Sequence, residues 1–136
     1  GGAQLYDDYA HHPTEIKKTL AAARDRFPKS KIICVFQPHT FSRTKLLFEE
    51  FSSAFLSADI VVLADIYPSQ REAFDPTVSS ETLAKSMQKL QKNVFYIPKL
   101  ADVVQYLSSN QQKPGTVIIT MGAGDIYKIA DQLLEQ

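Results

Sequence analysis

Side chains able to do chemistry crowd into four short stretches of this chain. Asp7, Asp8, Tyr9, His11 and His12 fall within "DDYAHHPTEI", and His39 and Arg43 within "FQPHTFSRT". Asp65, Tyr67 and Arg71 fall within "DIYPSQRE", and Gly122 and Gly124 within "MGAGDI". Each group suits different work. Imidazole rings donate, accept or carry a proton near neutral pH. A guanidinium offers a planar two-point grip on carboxylate or phosphate. A carboxylate at the carboxyl end of a strand can hold a ribose diol. Glycines ahead of a helix allow close backbone approach and leave amide N–H groups for an anion.

Blander readings stand beside these. His11 and His12 are adjacent, so their rings diverge, and no H-x-x-x-H or C-x-x-C spacing accompanies them, so no metal site is expected. A solvent-facing or capping histidine pair remains the alternative to substrate or nucleotide contacts. Thr14 and Glu15, just after Pro13, suit the first turn of a helix, where an acid favours the positive end of the dipole. Arg43 could be an ordinary surface arginine, Gln37 and His39 could simply fix the turn around Pro38, and a strand-to-helix turn requires glycine anyway. Asp65, Tyr67 and Arg71 could belong to an ordinary polar loop. There is no G-x-x-x-x-G-K-[ST] phosphate loop and no G-x-S-x-G nucleophile elbow.

Composition narrows the field. Fifteen basic residues balance fifteen acidic ones without a cluster on one face, which argues against a nucleic-acid partner. The single cysteine, Cys34, lies in the apolar run "KIICVF" and suits a core residue in a reducing compartment, so a cytoplasmic location is expected. No apolar stretch approaches the ~20 residues that span a bilayer, so no membrane partner is expected. At 136 residues the chain is expected to be one domain, 1–136. Its opening "GGAQLYDDYA" has no initiating methionine and suggests a piece of something longer.

The elements that must position these groups alternate in type. Apolar runs at 4–10, 31–36, 59–66, 93–98 and 115–122 suit strands. Segments at 13–27, 43–58, 80–90, 100–110 and 124–136 suit helices, and a polar loop with prolines spans 67–79. The pattern predicts an α/β, Rossmann-like three-layer domain with a mostly parallel sheet and helices on both faces. In such a sheet the segment after each strand gathers at the carboxyl edge, where ligands bind. All four chemistry-bearing stretches fall there.

In their order and at these spacings, "DDYAHHPTEI", "FQPHTFSRT", "DIYPSQRE" and "MGAGDI" resemble the C-terminal domain of the Mur ligases of bacterial peptidoglycan synthesis, over essentially the whole chain. Tyr9 and the "QPH" wording are similar to the branch that joins L-alanine to UDP-N-acetylmuramate through an acyl phosphate. The nearest alternative is the recycling branch that attaches a tripeptide to the same sugar nucleotide, and a free-standing, non-catalytic nucleotide-binding module is the alternative from another class. The resemblance implies an N-terminal domain for the UDP-sugar and a central ATPase domain that holds most of the contacts to ATP and Mg²⁺. The domain described by this chain would close over the central one and be inactive alone.

Residue by residue, Asp8 resembles the acid that contacts the ATP ribose, and Gly122 and Gly124 join it as nucleotide-binding candidates. Tyr9 and His11 resemble residues beside the incoming alanine, and Arg43 an arginine that fixes the amino acid or the tetrahedral intermediate. His11 and Arg43 are therefore the catalytic candidates, and Tyr9, His11, Arg43 and Tyr67 the substrate-binding ones. Many relatives carry arginine where this chain has Thr40, which leaves one cation fewer near the amino acid.

Overall fold

Two strands, β2 (Lys31–Phe36) and β5 (Thr116–Met121), are apolar along nearly their whole length because helices cover them on both faces. They are the middle of a five-stranded sheet in which every pairing is parallel, ordered β1-β5-β2-β3-β4. The outer strands are β1 (Gln4–Asp8), half exposed as befits an edge, and the short β4 (Val94–Tyr96); β3 (Ile60–Leu63) is fully buried. The computed structural model describes residues 2–111 and 113–135.

Between the strands run α1 (Pro13–Arg26), α2 (Phe41–Leu46), α3 (Phe48–Ser52), α4 (Ser80–Met87), α5 (Leu100–Asn110) and α6 (Lys128–Leu134). One core sets α1, α3 and α4 against the sheet through Ile16, Leu20, Phe51, Leu83 and Met87. The other sets α5 and α6 against the opposite face through Val103, Leu107, Ile129 and Leu133. Strand alternation divides β2 between them, with Cys34 and Phe36 facing the first core and Ile33 and Val35 the second. The expected three-layer architecture is therefore present.

Local chemistry explains how α1 starts. His12 is its N-cap in extended conformation, its ring accepting from Thr14 N, while Glu15 accepts from the His12 backbone N–H at 3.2 Å. That reciprocal pair is a capping box, and Pro13 supplies the preset φ of the first helical residue.

Several expected boundaries differ, and β1, α4 and β4 are each shorter than expected, ending at Asp8, Met87 and Tyr96. The helix expected over 43–58 is broken in two at Leu47 (φ −107°, ψ 21°), and after Ser52 the chain continues in tight turns that close Ala54 N onto Phe51 O and Ala58 N onto Phe55 O. Helical period was legible there because Phe51 and Phe55 do face the core, against Phe36, but the serines compete for backbone bonds, as Ser52 Oγ does at Phe48 O. The strand expected to reach Ile66 ends at Leu63, and the closing helix begins at Lys128 rather than Gly124. Gln136, the expected end of that helix, lies outside the described residues.

At the amino end of the sheet, Arg24 of α1 donates to Ser30 O, Ser57 O and Asp59 Oδ2, and Asp59 also accepts from Ile32 N at 2.8 Å. Desolvation pushes the Asp59 carboxyl up, but the Ile32 N–H and the Arg24 guanidinium outweigh it and hold it below the usual range.

Phe36 is fully buried, with Phe51 and Phe55 at ring-centroid distances of 5.5 and 5.1 Å. Phe36→Ala is expected to destabilise the domain by about 3–5 kcal/mol in urea unfolding, through lost burial and the cavity left behind. A loss below about 1 kcal/mol would show that α3 and its following turns are not held against β2 as described.

Candidate functional site

The register of the sheet lines up its carboxyl ends: Asp8 pairs with Met121, Met121 with Phe36, Phe36 with Leu63, and Leu63 with Tyr96. The chain leaves this line in tight contact. Gln37 N donates to Met121 O and Gly122 N to Asp8 O. Beyond the sheet, Tyr67 N donates to Pro38 O and Thr40 N to Tyr67 O, both at 2.8 Å, so the segments after β2 and β3 form one more parallel bridge at His39 and Tyr67.

That bridge stacks the His39 and Tyr67 rings, with centroids 5.8 Å apart and planes within 16°. The His11 ring meets His39 edge-on at 6.2 Å, and Tyr9 meets His11 edge-on at 5.6 Å. Arg43, on α2, places Nη1 3.3 Å from His39 Nδ1. Tyr9, His11, Arg43 and Tyr67 are thus one continuous surface, and His39 is the residue that joins them. Tyr9 is 70% exposed, so the surface opens outward.

The partners fix the tautomers. Arg43 has only donors, so His39 Nδ1 accepts and the ring proton sits on Nε2. The Tyr9 carbonyl can only accept, so His11 Nδ1, 3.0 Å away, donates to it, and in the neutral ring Nε2 keeps its lone pair. Burial, then the Arg43 charge, then His11, lower the His39 pKa below its ordinary 6.5, with Glu72 pulling weakly the other way. Neutral His39 thus offers an N–H donor at Nε2 beside the Arg43 guanidinium.

Thr40 positions Arg43. It has φ 68° and ψ 144°, a left-handed φ that is unfavourable for a β-branched residue by about 1–3 kcal/mol. Several bonds hold it there: Oγ1 caps α2 by accepting from Arg43 N at 3.2 Å, and its carbonyl accepts from the Thr44 hydroxyl at 2.8 Å. Glu72 accepts from Phe41 N and, at 3.0 Å, from Ser42 Oγ, tying the 67–79 loop to the same helix start. Desolvation raises the Glu72 carboxyl, but these hydrogen bonds and the nearby His39 bring it below the usual range. The loop also packs Phe74 edge-on against Phe41.

The remaining candidates divide. Asp8 is half buried, and its carboxylate accepts from Ala10 N at 2.7 Å and Thr19 Oγ1 at 3.3 Å, which leaves lone pairs over for a further donor. Asp7, on the other face of β1, accepts from Thr120 Oγ1. Gly122 has φ 149°, and a Cβ there would lie 2.8 Å from Gln37 O; one on Gly124 would lie 2.6 Å from Tyr67 Cγ. The close approach these glycines permit is therefore to Gln37 and Tyr67. Asp65 turns aside to accept from Tyr96 Oη at 2.5 Å, and Arg71 is exposed, its backbone N–H donating to Ser69 Oγ. Among the described residues no three His, Cys, Asp or Glu side chains gather as they would around a metal ion, and no helix is long and apolar enough to cross a membrane.

Sequence reasoning placed His39 and Gln37 in a turn and no further. Their importance comes from contacts with Tyr67 and Asp125, distant in the chain, which no local pattern announces.

A doubly wound α/β domain with its polar array at the carboxyl edge has the layout at which proteins of this fold class bind ligands. The family model described as "Mur ligase, glutamate ligase domain" matches residues 1–124, and the chain belongs to that family. Among its relatives, UDP-N-acetylmuramate--L-alanine ligase of Desulfitobacterium hafniense (strain Y51) is 48% identical over 133 residues, and that of Clostridium tetani (strain Massachusetts / E88) 47% identical over 131. These alignments cover 98% and 96% of this chain but 29% and 28% of the relatives, so the chain spans less than a third of their length. The crystal structure of UDP-N-acetylmuramate-alanine ligase from Thermotoga maritima superposes with a TM-score of 0.75 at 28% identity, over 96% of this chain and 26% of that one. A murein peptide ligase from Psychrobacter arcticus 273-4 shares the fold with a TM-score of 0.74 at 19% identity, over 96% and 26%.

His39 is expected to titrate below 6.5 when followed by its ring protons in NMR, and Arg43→Ala is expected to move the midpoint upward. The folded pKa lies below the unfolded one, so between them the unfolded chain binds more protons. Whatever stability depends on neutral His39 is therefore intact above 6.5 and is lost as pH falls through the folded pKa. A midpoint at or above 6.5 would contradict the packing of His39 against Arg43.

Proposed function

We propose that this chain is the C-terminal domain, residues 1–136, of a three-domain cytoplasmic ligase that joins L-alanine to UDP-N-acetylmuramate with cleavage of ATP to ADP and phosphate. The observation that carries the proposal is the array of Tyr9, His11, His39, Arg43 and Tyr67 on one edge, in a chain 48% identical to a ligase of that name. The murein peptide ligase shares the fold at 19% identity, so the tripeptide-attaching reading has less support.

Carboxyl activation as an acyl phosphate would take place on the partner domains, which would hold most of the contacts to ATP and Mg²⁺. What remains for this domain is to hold an amine in line with an activated carbonyl and to meet the negative charge that develops. Arg43 grips the amino-acid carboxylate or the forming oxyanion, and the Nε2–H of neutral His39 offers a second donor beside it. His11, whose Nδ1 is committed to the Tyr9 carbonyl, uses Nε2 to accept the proton released as the amide forms. Tyr9 and Tyr67 wall the amino-acid site. Asp8, with lone pairs remaining, accepts from the ATP ribose.

Two outcomes test this. The purified domain is expected to release no phosphate with UDP-N-acetylmuramate, L-alanine and ATP, because activation occurs elsewhere; measurable release would refute the division of labour. In the intact enzyme, Arg43→Ala is expected to lower kcat/KM for alanine by on the order of ten- to a hundredfold, the value of a charge-assisted contact of roughly 1.5–3 kcal/mol. Lysine should restore only part of it. An increased requirement for ATP with an unchanged one for alanine would move Arg43 to the nucleotide.

A further inference from the structure

Gln37 is 5% exposed, and its side-chain amide is only half satisfied. Its Nε2 donates to Asp125 Oδ1 at 2.9 Å, which fixes which way the amide faces. Its Oε1 is shut off from solvent, and among the described residues no donor reaches it. Buried amide oxygens are nearly always paired, so one left over beside a candidate site calls for a partner, either a buried water or a donor from a bound molecule. The oxygen sits where the glycine turn packs against the Tyr67 ring: a Cβ on Gly124 would lie 2.7 Å from Oε1 and 2.6 Å from Tyr67 Cγ. Behind Tyr67 stand His39 and Arg43.

We propose that Gln37 Oε1 accepts a hydrogen bond from the amino group of the incoming amino acid, an inference that rests on the ligase reading above. The chemistry favours an amide here. The amine must be neutral to attack, and a carboxylate in this place would stabilise its protonated, non-nucleophilic form. An amide oxygen orients an N–H without adding charge, and it leaves the nitrogen lone pair for the acyl carbon. For the amine to reach Oε1, the Tyr67 ring, 37% exposed and stacked on His39, has to move aside. Asp125 contributes by keeping the Gln37 amide from rotating.

The test uses the intact enzyme with Gln37→Met, which matches the side chain's length without its hydrogen-bonding groups. KM for L-alanine is expected to rise about three- to tenfold, the loss of one neutral hydrogen bond, while KM for ATP stays within about twofold. Gln37→Asn keeps an amide but withdraws it by one methylene, and it is expected to show the same selective rise even if the methionine variant folds poorly. Alanine KM within about twofold of wild type in a folded variant would overturn the proposal and leave Oε1 to a buried water. Parallel rises in the KM of alanine and ATP would overturn it as well, since they would mark a general disturbance of the glycine turn. Failure of the ligase reading is separately visible, as a wild-type enzyme with no alanine-dependent phosphate release, and it would remove both proposals together.

Discussion

The in-register parallel pairing of five strands is the constraint on which the remaining structure depends. It places Asp8, Met121, Phe36, Leu63 and Tyr96 along one line, so that each chain segment leaving the sheet starts from the same edge. A shift of one residue in β2 would turn Cys34 and Phe36 away from the α1, α3 and α4 core and rotate Gln37 out of the turn it now fills. The burial of both faces of β2 and β5 is therefore also what aims the site. Core and site share a cause, and the helices need only cover the faces and cap their own ends.

Above that line the packing is set by what is missing as much as by what is present. The turn after β5 approaches Gln37 and Tyr67 more closely than a residue with a Cβ could, so Gly122 and Gly124 bring the third segment against the other two. Thr40 shows the opposite strategy, a β-branched residue held at positive φ by the Tyr67 carbonyl, its own capping bond to Arg43 N and the bonds from Thr44. Its hydroxyl positions Arg43 where a longer cationic side chain would add charge. On the reading proposed above, an anion would then meet one guanidinium supported by a neutral imidazole donor.

Much of this was legible in the sequence, and the reasons differ by element. Continuous apolar runs such as "KIICVF" and "TVIITM" announced strands buried on both faces, and "HHPTE" announced the start of α1, because burial and capping are local properties. The break at Leu47 was not legible, since the facing of Phe51 and Phe55 keeps helical period after the helix has ended. Within the site, residue type and place after a strand brought His11, Arg43 and Tyr67 to the carboxyl edge beside blander readings, and the roles given to Tyr9, His11 and Arg43 came from the family resemblance. The role of His39 could not, because its stacking on Tyr67 and its bond from Arg43 exist only once β2 and β3 are paired.

The electrostatic character of the edge follows from these placements. Two histidines and an arginine lie together, and repulsion among three cations would work against that packing at neutral pH. The structure avoids it by keeping His39 neutral through burial and the Arg43 charge, while Glu72 and Glu15 stand close enough to offset what positive charge remains. A neutral His39 can then donate from Nε2 without competing with Arg43 for an anion. On the ligase reading proposed above, few fixed cations suit this edge, because additional ones would hold a substrate carboxylate as tightly in the ground state as in the transition state and so would not lower the barrier.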